Sequence, residues 1–234
     1  MNFGTFYGIG VGPGDPALLT FKAVDTIRRC DVIAVPEPDS AERTAITVVE
    51  EFLHGKELLE CRFSMSRDEK TRMGRRNSVG QAIASVLKSG KSVGFITLGD
   101  PSIYSTYSYI RNIIRTCGFN TETVPGITSF SAAASMLDTS LCEGGESLHI
   151  IPASSDVDIE QYLDLHGVKV FMKSGKNIER VLDVLRRRGL SQQTRIVSRC
   201  TMENAQVFHS IEEFDKIQRE SSLGYFSIIL VMEK

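Results

Sequence analysis

The chain has 234 residues, with 27 Lys and Arg against 29 Asp and Glu for a formal net charge of −2. That length allows one large domain or two small ones, and a charge balance without basic excess argues against general duplex binding. Hydrophobic residues at 41%, charged residues at 24%, 19 glycines and 7 prolines exclude disordered and collagen-like chains.

Apolar, β-branched runs alternate with helical patterns from end to end, which predicts an α/β protein with largely parallel strands. The first strand, over 5–11, runs into Gly8-Ile9-Gly10-Val11-Gly12-Pro13-Gly14-Asp15. Glycine at every second position strips one face of side chains, so a ligand or another chain segment approaches that backbone closely. A dinucleotide loop does not fit, because G-x-G-x-x-G would need glycine where Pro13 or Asp15 stands. Asp15-Pro16 is an N-cap followed by a first-turn proline and opens a helix over 17–29.

A strand over 31–35 and a helix over 43–53 follow, then a long helix over 68–88, with Ser66 and Glu69 spaced as a capping box. Its entry is basic: Arg62, Arg67, Lys70, Arg72, Arg75 and Arg76 stand against only Asp68 and Glu69. Gly90-Lys91-Ser92 resembles the end of a phosphate-binding loop, but Ser85 occupies the glycine position such a loop needs. The strand over 92–98 leads into Leu98-Gly99-Asp100-Pro101-Ser102-Ile103-Tyr104-Ser105-Thr106 and a helix over 103–116. Open α/β sheets bind ligands at such carboxyl ends, although Asp100 could equally cap the following helix. After a strand over 120–124, Val124-Pro125-Gly126-Ile127-Thr128-Ser129 opens a helix over 128–137 rich in small residues. Its hydroxyls and free N–H groups suit a polar ligand without a full charge.

The remaining strands are expected over 148–151, 168–172, 195–200, 206–209 and 225–232, the last buried on both faces. Helices fall over 159–165, 177–188 and 211–219, and Gly90, Gly118 and Gly189 are placed as C-caps. A domain boundary is expected at Val124, giving units 1–123 and 124–234. The five cysteines form no C-x-x-C pair and the four histidines no H-x-x-x-H, so neither a disulfide framework nor a protein-bound metal is expected. No Lys or Arg precedes Lys22 and no apolar run approaches 18 residues, which predicts a reduced, cytoplasmic, soluble protein without membrane partners.

Taken together, the glycine-rich loop, the Leu-Gly-Asp-Pro segment and the Val-Pro-Gly-Ile-Thr-Ser segment resemble the tetrapyrrole (corrin/porphyrin) methylase family over essentially the whole chain. The resemblance implies two α/β domains with S-adenosylmethionine as methyl donor in the cleft between them. Tyr104-Ser105-Thr106, Val170-Phe171-Met172-Lys173 and Tyr225-Phe226-Ser227-Ile228-Ile229-Leu230 are most similar to members that methylate C(20) of precorrin-2 or cobalt-factor II in cobalamin biosynthesis. It points to Leu98, Gly99, Asp100, Ile103, Thr106, Thr128, Ser129, Met172, Cys200 and Thr201 at the cofactor. Many members carry glycine where Cys200 stands, so a contact there would run through backbone.

A tetrapyrrole carries many carboxylates, so Arg72, Arg75 and Arg76 are expected to face it, with Gly10, Gly12 and Gly14 leaving room for the flat ring. Asp15 and Tyr104 are candidates to remove the meso proton, although Asp15 reads first as a cap. A homodimer is expected, with no nucleic-acid partner. Competing readings are another family member acting on a different corrin carbon, a ribosomal RNA ribose methyltransferase of the same family, and a non-catalytic S-adenosylmethionine sensor.

Overall fold

The computed structural model describes residues 3–36, 40–63, 68–154, 157–217 and 226–232. The chain divides into two compact units, Met1–Thr128 and Ser129–Lys234, each built on a five-stranded sheet. The division follows Thr128 rather than preceding Val124. Val124 is part of a first-unit strand, and Gly126 N donates to the Asp100 carboxylate at 2.9 Å.

In the first unit β1 (Phe6–Gly10), β2 (Val32–Pro36), β3 (Glu57–Cys61), β4 (Val93–Thr97) and β5 (Thr121–Val124) lie in the order β3-β2-β4-β1-β5. Every pair is parallel, so each connection crosses over the sheet. The crossovers carry α1 (Phe21–Arg29), α2 (Ser40–Val49), α3 (Glu69–Lys88) and α4 (Tyr107–Thr116). Strand alternation sends Phe6, Val32 and Phe95 to one face, where Ile83, Leu87, Tyr107 and Ile110 cover them. Ile9, Ile33 and Ile96 face the other way, onto Ala23, Ile27 and Val48. Burying each of these large side chains contributes about 1.5–3 kcal/mol.

Several boundaries shift for local reasons. Asp15 caps only a short 3-10 turn, Pro16–Leu18, and Thr20 caps α1 by accepting from Ala23 N at 3.1 Å. The helix expected from 103 starts at Tyr107. Asp100 accepts from Ser102 N at 2.8 Å and so shapes a turn rather than a cap. Asp68 opens α3 by accepting from Thr71 N at 2.9 Å; Ser66 lies outside the described residues. β3 was not expected, because its sequence Glu-Leu-Leu-Glu-Cys carries two charged residues in five. It forms as an edge strand paired only with β2, where outward charges are tolerated.

The second unit orders β6 (Leu148–Pro152), β7 (Val168–Met172), β10 (Ser227–Val231), β8 (Thr194–Ser198) and β9 (Gln206–Phe208) across its sheet. Here the expectation of largely parallel strands fails. Only β6 and β7 are parallel; β10 runs antiparallel to both neighbours and β8 to β9. The β8–β9 connection spans only residues 199–205, too short for a crossover helix. β10 is buried along its whole length, as the adjacent apolar residues Ile228, Ile229, Leu230 and Val231 predict. α5 (Ser129–Met136), α6 (Glu160–Leu163), α7 (Ile178–Arg187) and α8 (Ile211–Ile217) complete the unit. Its core gathers Phe171, Ile196, Phe208 and Ile229 with Val181, Leu185 and Phe214.

Candidate active site

The chain leaves β1 toward β2 on one side and leaves β4 toward β5 on the other, so adjacent β1 and β4 form the point where strand order reverses. Ligand crevices in open α/β sheets lie outside the carboxyl ends of such strands. The glycine-rich loop and the Leu98–Thr106 loop both emerge there. They are stitched together, with Gly99 N donating to Gly12 O at 2.7 Å and Gly12 N to Gly99 O at 3.3 Å.

The alternating glycines serve the chain itself. A Cβ on Gly8 would stand 2.3 Å from the Tyr107 ring, which fills that notch and whose hydroxyl donates to Glu122 O at 3.0 Å. A Cβ on Gly10 would stand 2.5 Å from Gly126 N and 2.8 Å from Gly99 O. Gly10 therefore makes room for the Val124–Thr128 segment, and its expected role of leaving space for a flat ring is corrected. Gly12 is buried at φ +75°, so its backbone conformation and its pairing with Gly99 account for glycine there. Gly99, at φ +74°, is different: nothing lies nearer its missing Cβ than Ile127 O at 4.0 Å.

Asp100 is buried and joins the loops. One carboxylate oxygen accepts from the Ser102 backbone and hydroxyl, the other from Gly126 N. Downstream, Ser105 Oγ lies 3.2 Å from Thr97 Oγ1 and accepts from Tyr107 N at 3.1 Å, tying the Tyr104–Thr106 turn to the end of β4. Tyr104 is exposed and holds φ +48°, an outlier for a bulky residue. Leu98, Ile103, Thr106 and Thr128 are partly buried around this crevice. Asp15 is half-buried, its carboxylate accepting from Ala17 N at 2.8 Å.

The second-unit candidates also fall at strand ends. Met172 closes β7 and is buried, and Lys173 after it takes φ +58°. Past the end of β8, Arg199 and Thr201 take φ +50° and +62° on either side of Cys200. Non-glycine residues held at positive φ mark segments that the surrounding structure over-determines. The Met136 sulfur supplies part of that constraint, accepting from Thr201 N at 3.4 Å with Cys200 Sγ 3.7 Å away. Burial pushes the Cys200 thiol up to about 12. Ser129 begins α5, and its carbonyl lies 3.7 Å from Cys200 Sγ.

Of the expected carboxylate-binding arginines, Arg72 and Arg76 both pair with Glu69 on one face of α3, while exposed Arg75 is turned away by about 100° from Arg76. Arg67 lies outside the described residues, as does Tyr225 of the closing motif. Sequence reasoning missed Tyr107, Tyr109 and Met136. The aromatic-rich start of α4 could have drawn attention to the first two; nothing marks Met136. Among the described residues no three His, Cys, Asp or Glu side chains group as a metal site, and no helix is long and apolar enough to cross a membrane.

Comparison with known proteins gives a consistent family. A "Probable cobalt-precorrin-2 C(20)-methyltransferase" of Methanocaldococcus jannaschii is 34% identical, the match covering 96% of this chain and 94% of the relative. A "Precorrin-2 C(20)-methyltransferase" of Sinorhizobium sp is 30% identical over 99% of this chain and 96% of its own length. The fold matches the Thermus thermophilus uroporphyrin-III C-methyl transferase crystallised with S-adenosyl homocysteine, at TM-score 0.71, 19% identity and 98% coverage of both chains. The family model for tetrapyrrole (corrin/porphyrin) methylases matches residues 5–215, and the chain belongs to that family.

Proposed function

We propose that this chain is an S-adenosylmethionine-dependent C-methyltransferase of cobalamin biosynthesis, methylating C(20) of precorrin-2 or cobalt-factor II. The single observation that carries the reading is the near end-to-end similarity, at 34% and 30% identity, to relatives named for that carbon. One relative's name carries cobalt and the other's does not, so both substrates belong in the proposal.

The site's chemistry fits the methyl donor. At Gly99 the space of the missing side chain is open beside a left-handed backbone, so a ligand can approach the main chain there. The surrounding groups are backbone amides, hydroxyls and apolar side chains, suited to a ligand without phosphate. Leu98, Gly99, Ile103, Thr106, Thr128, Ser129, Met172, Cys200 and Thr201 are assigned to hold it, Cys200 through its backbone. When bound, S-adenosylmethionine supplies a methyl group on positively charged sulfur.

Transfer from that centre dissipates positive charge, so a carboxylate against the sulfur would stabilise the ground state more than the transition state. Asp100 avoids that role by spending its oxygens on Ser102 and Gly126, holding rigid the two loops that carry the contacts. Such positioning is the main contribution asked of the protein. Tyr104, exposed on the turn that follows the crevice loop, is one candidate to accept the meso proton, which it could do only as the phenolate. Asp15 is the second candidate, with one carboxylate oxygen already committed to Ala17 N.

The test is incubation with precorrin-2, cobalt-factor II and methyl-labelled donor, with the product read by mass spectrometry and NMR. Label at C(20) supports the reading; label at C(11) or C(17) rejects it in favour of another family activity. Donor binding without any methylated tetrapyrrole rejects it in favour of the RNA-modifying or sensor reading.

A further inference from the structure

The short link after Lys88 turns the chain back from α3 into β4, and β4 leads through the Leu98–Thr106 loop into α4. Both helices therefore run against the strands, and their N-terminal ends lie at the sheet's carboxyl edge, where the crevice opens. At that end α3 and α4 come together, with the Arg76 guanidinium 3.7 Å from the centroid of the Tyr109 ring. Gly80, one turn further on, permits the approach, since a Cβ there would stand 2.6 Å from Ile113 of α4. Glu69 pairs with Arg76 at 3.2 Å and also with Arg72, so one carboxylate is shared between two guanidiniums. Met73 and Tyr109 remain about half exposed beside them, at 54% and 50%.

We propose that Arg76, braced on the Tyr109 ring, and Arg72 beside it form the docking point for peripheral carboxylates of the tetrapyrrole, with Tyr109 and Met73 as the apolar shelf under its rim. The assignment rests on the methyltransferase reading above and adds to it a substrate subsite. Three features carry it. The patch adjoins the crevice rather than the far end of the helices. Its two guanidiniums carry five donors each, against the two oxygens of Glu69 and an Asp68 carboxylate that already accepts from Thr71 N and Thr71 Oγ1, so donors are left over for a ligand. A guanidinium packed over a ring loses less freedom when it grips a carboxylate than a solvated one would. Exposed ion pairs such as those to Glu69 contribute only about 0–1 kcal/mol, so they orient the arginines without locking them away from a ligand.

The test is an absorbance titration of cobalt-factor II into the full chain, alongside its steady-state methylation. Arg76→Gln should raise the tetrapyrrole Kd and KM about tenfold, as loss of a charge-assisted pair would, with kcat and donor affinity unchanged. Tyr109→Leu should weaken binding less, and Tyr109→Phe should restore it, because the ring face is kept. Lys88→Gln removes the same charge at the opposite end of α3 and should change nothing. Cobalt-factor II with its carboxylates esterified should bind weakly and equally to every variant. Unchanged Kd and KM in folded Arg76→Gln, with C(20) methylation intact, overturns the docking point and leaves the function standing. Arg76-dependent binding without methylation does the reverse, and no binding by the unaltered chain overturns both.

Discussion

Two groups of glycines look alike in the sequence and differ in the folded chain. Gly8, Gly10 and Gly126 are small because other parts of the first unit occupy the space: the Tyr107 ring over Gly8, and backbone against backbone at Gly10 and Gly126. Gly99 is small because its backbone turns left-handed, and the space beside it is open. The difference teaches that a glycine-rich loop at a ligand crevice can be mainly a joint. Main chain meets main chain there, and among these glycines only buried Gly99 has no atom nearer than 4.0 Å to where a Cβ would stand.

Substitutions sharpen that contrast. The largest effect is expected at Gly126→Ala, whose Cβ would fall 2.3 Å from Gly99 O and 2.8 Å from Gly10 Cα. Backbone cannot yield as a side chain can, so the loss should exceed about 3 kcal/mol and denaturant titration should find little folded protein. Gly99→Ala should cost only about 1–2 kcal/mol, the price of a left-handed alanine, while donor affinity measured by calorimetry falls. Equal destabilisation by the two changes would erase the distinction drawn here.

Gly8→Ala should cost about 1–3 kcal/mol because its methyl meets a ring rather than main chain. Combining it with Tyr107→Leu should be less damaging than the sum of the two single changes, since both act on one shared space. Additive losses in urea midpoints would show that the ring does not fill the glycine's notch. Asp100→Ala should lower first-unit stability by about 1–3 kcal/mol, because Gly126 N and Ser102 N lose their acceptor in a buried joint. A variant as stable as the unaltered chain would return Asp100 to the status of a ligand contact alone.

The smallest effect concerns the second unit. Burial raises the Cys200 thiol to about 12, so at pH 8 it stays protonated and should resist alkylation in the folded chain. Exposed Cys117 and Cys142 should react first. Peptide mapping that finds Cys200 modified as fast as these two would show that the Arg199–Thr201 segment opens readily.

The order of strands and helices was legible because strand and helix periodicities differ and each segment is long enough to display its own. Placement of the Leu98–Thr106 loop at a carboxyl strand end followed directly, and the three motifs together carried the family. β3 was hidden because an edge strand needs only one paired side, and its charged residues broke the apolar signal. The pairing sense of the second sheet was hidden too. Strand direction depends on where a chain returns in space, and a run such as Ser227–Val231 reads the same in either direction.

What the sequence determined by itself was local or cumulative: caps, turns, apolar alternation, and motifs whose order along the chain identifies the family. What only the tertiary structure decided was which groups fill which spaces. Tyr107 is 99 residues from Gly8 and Gly126 is 26 from Asp100, yet these pairs settle whether a glycine receives a ligand or a neighbour and whether a carboxylate is a ligand contact or a bracket. The physical reason is that close packing is short-ranged in space but unrestricted in sequence separation, so residue types announce that something comes close without saying what.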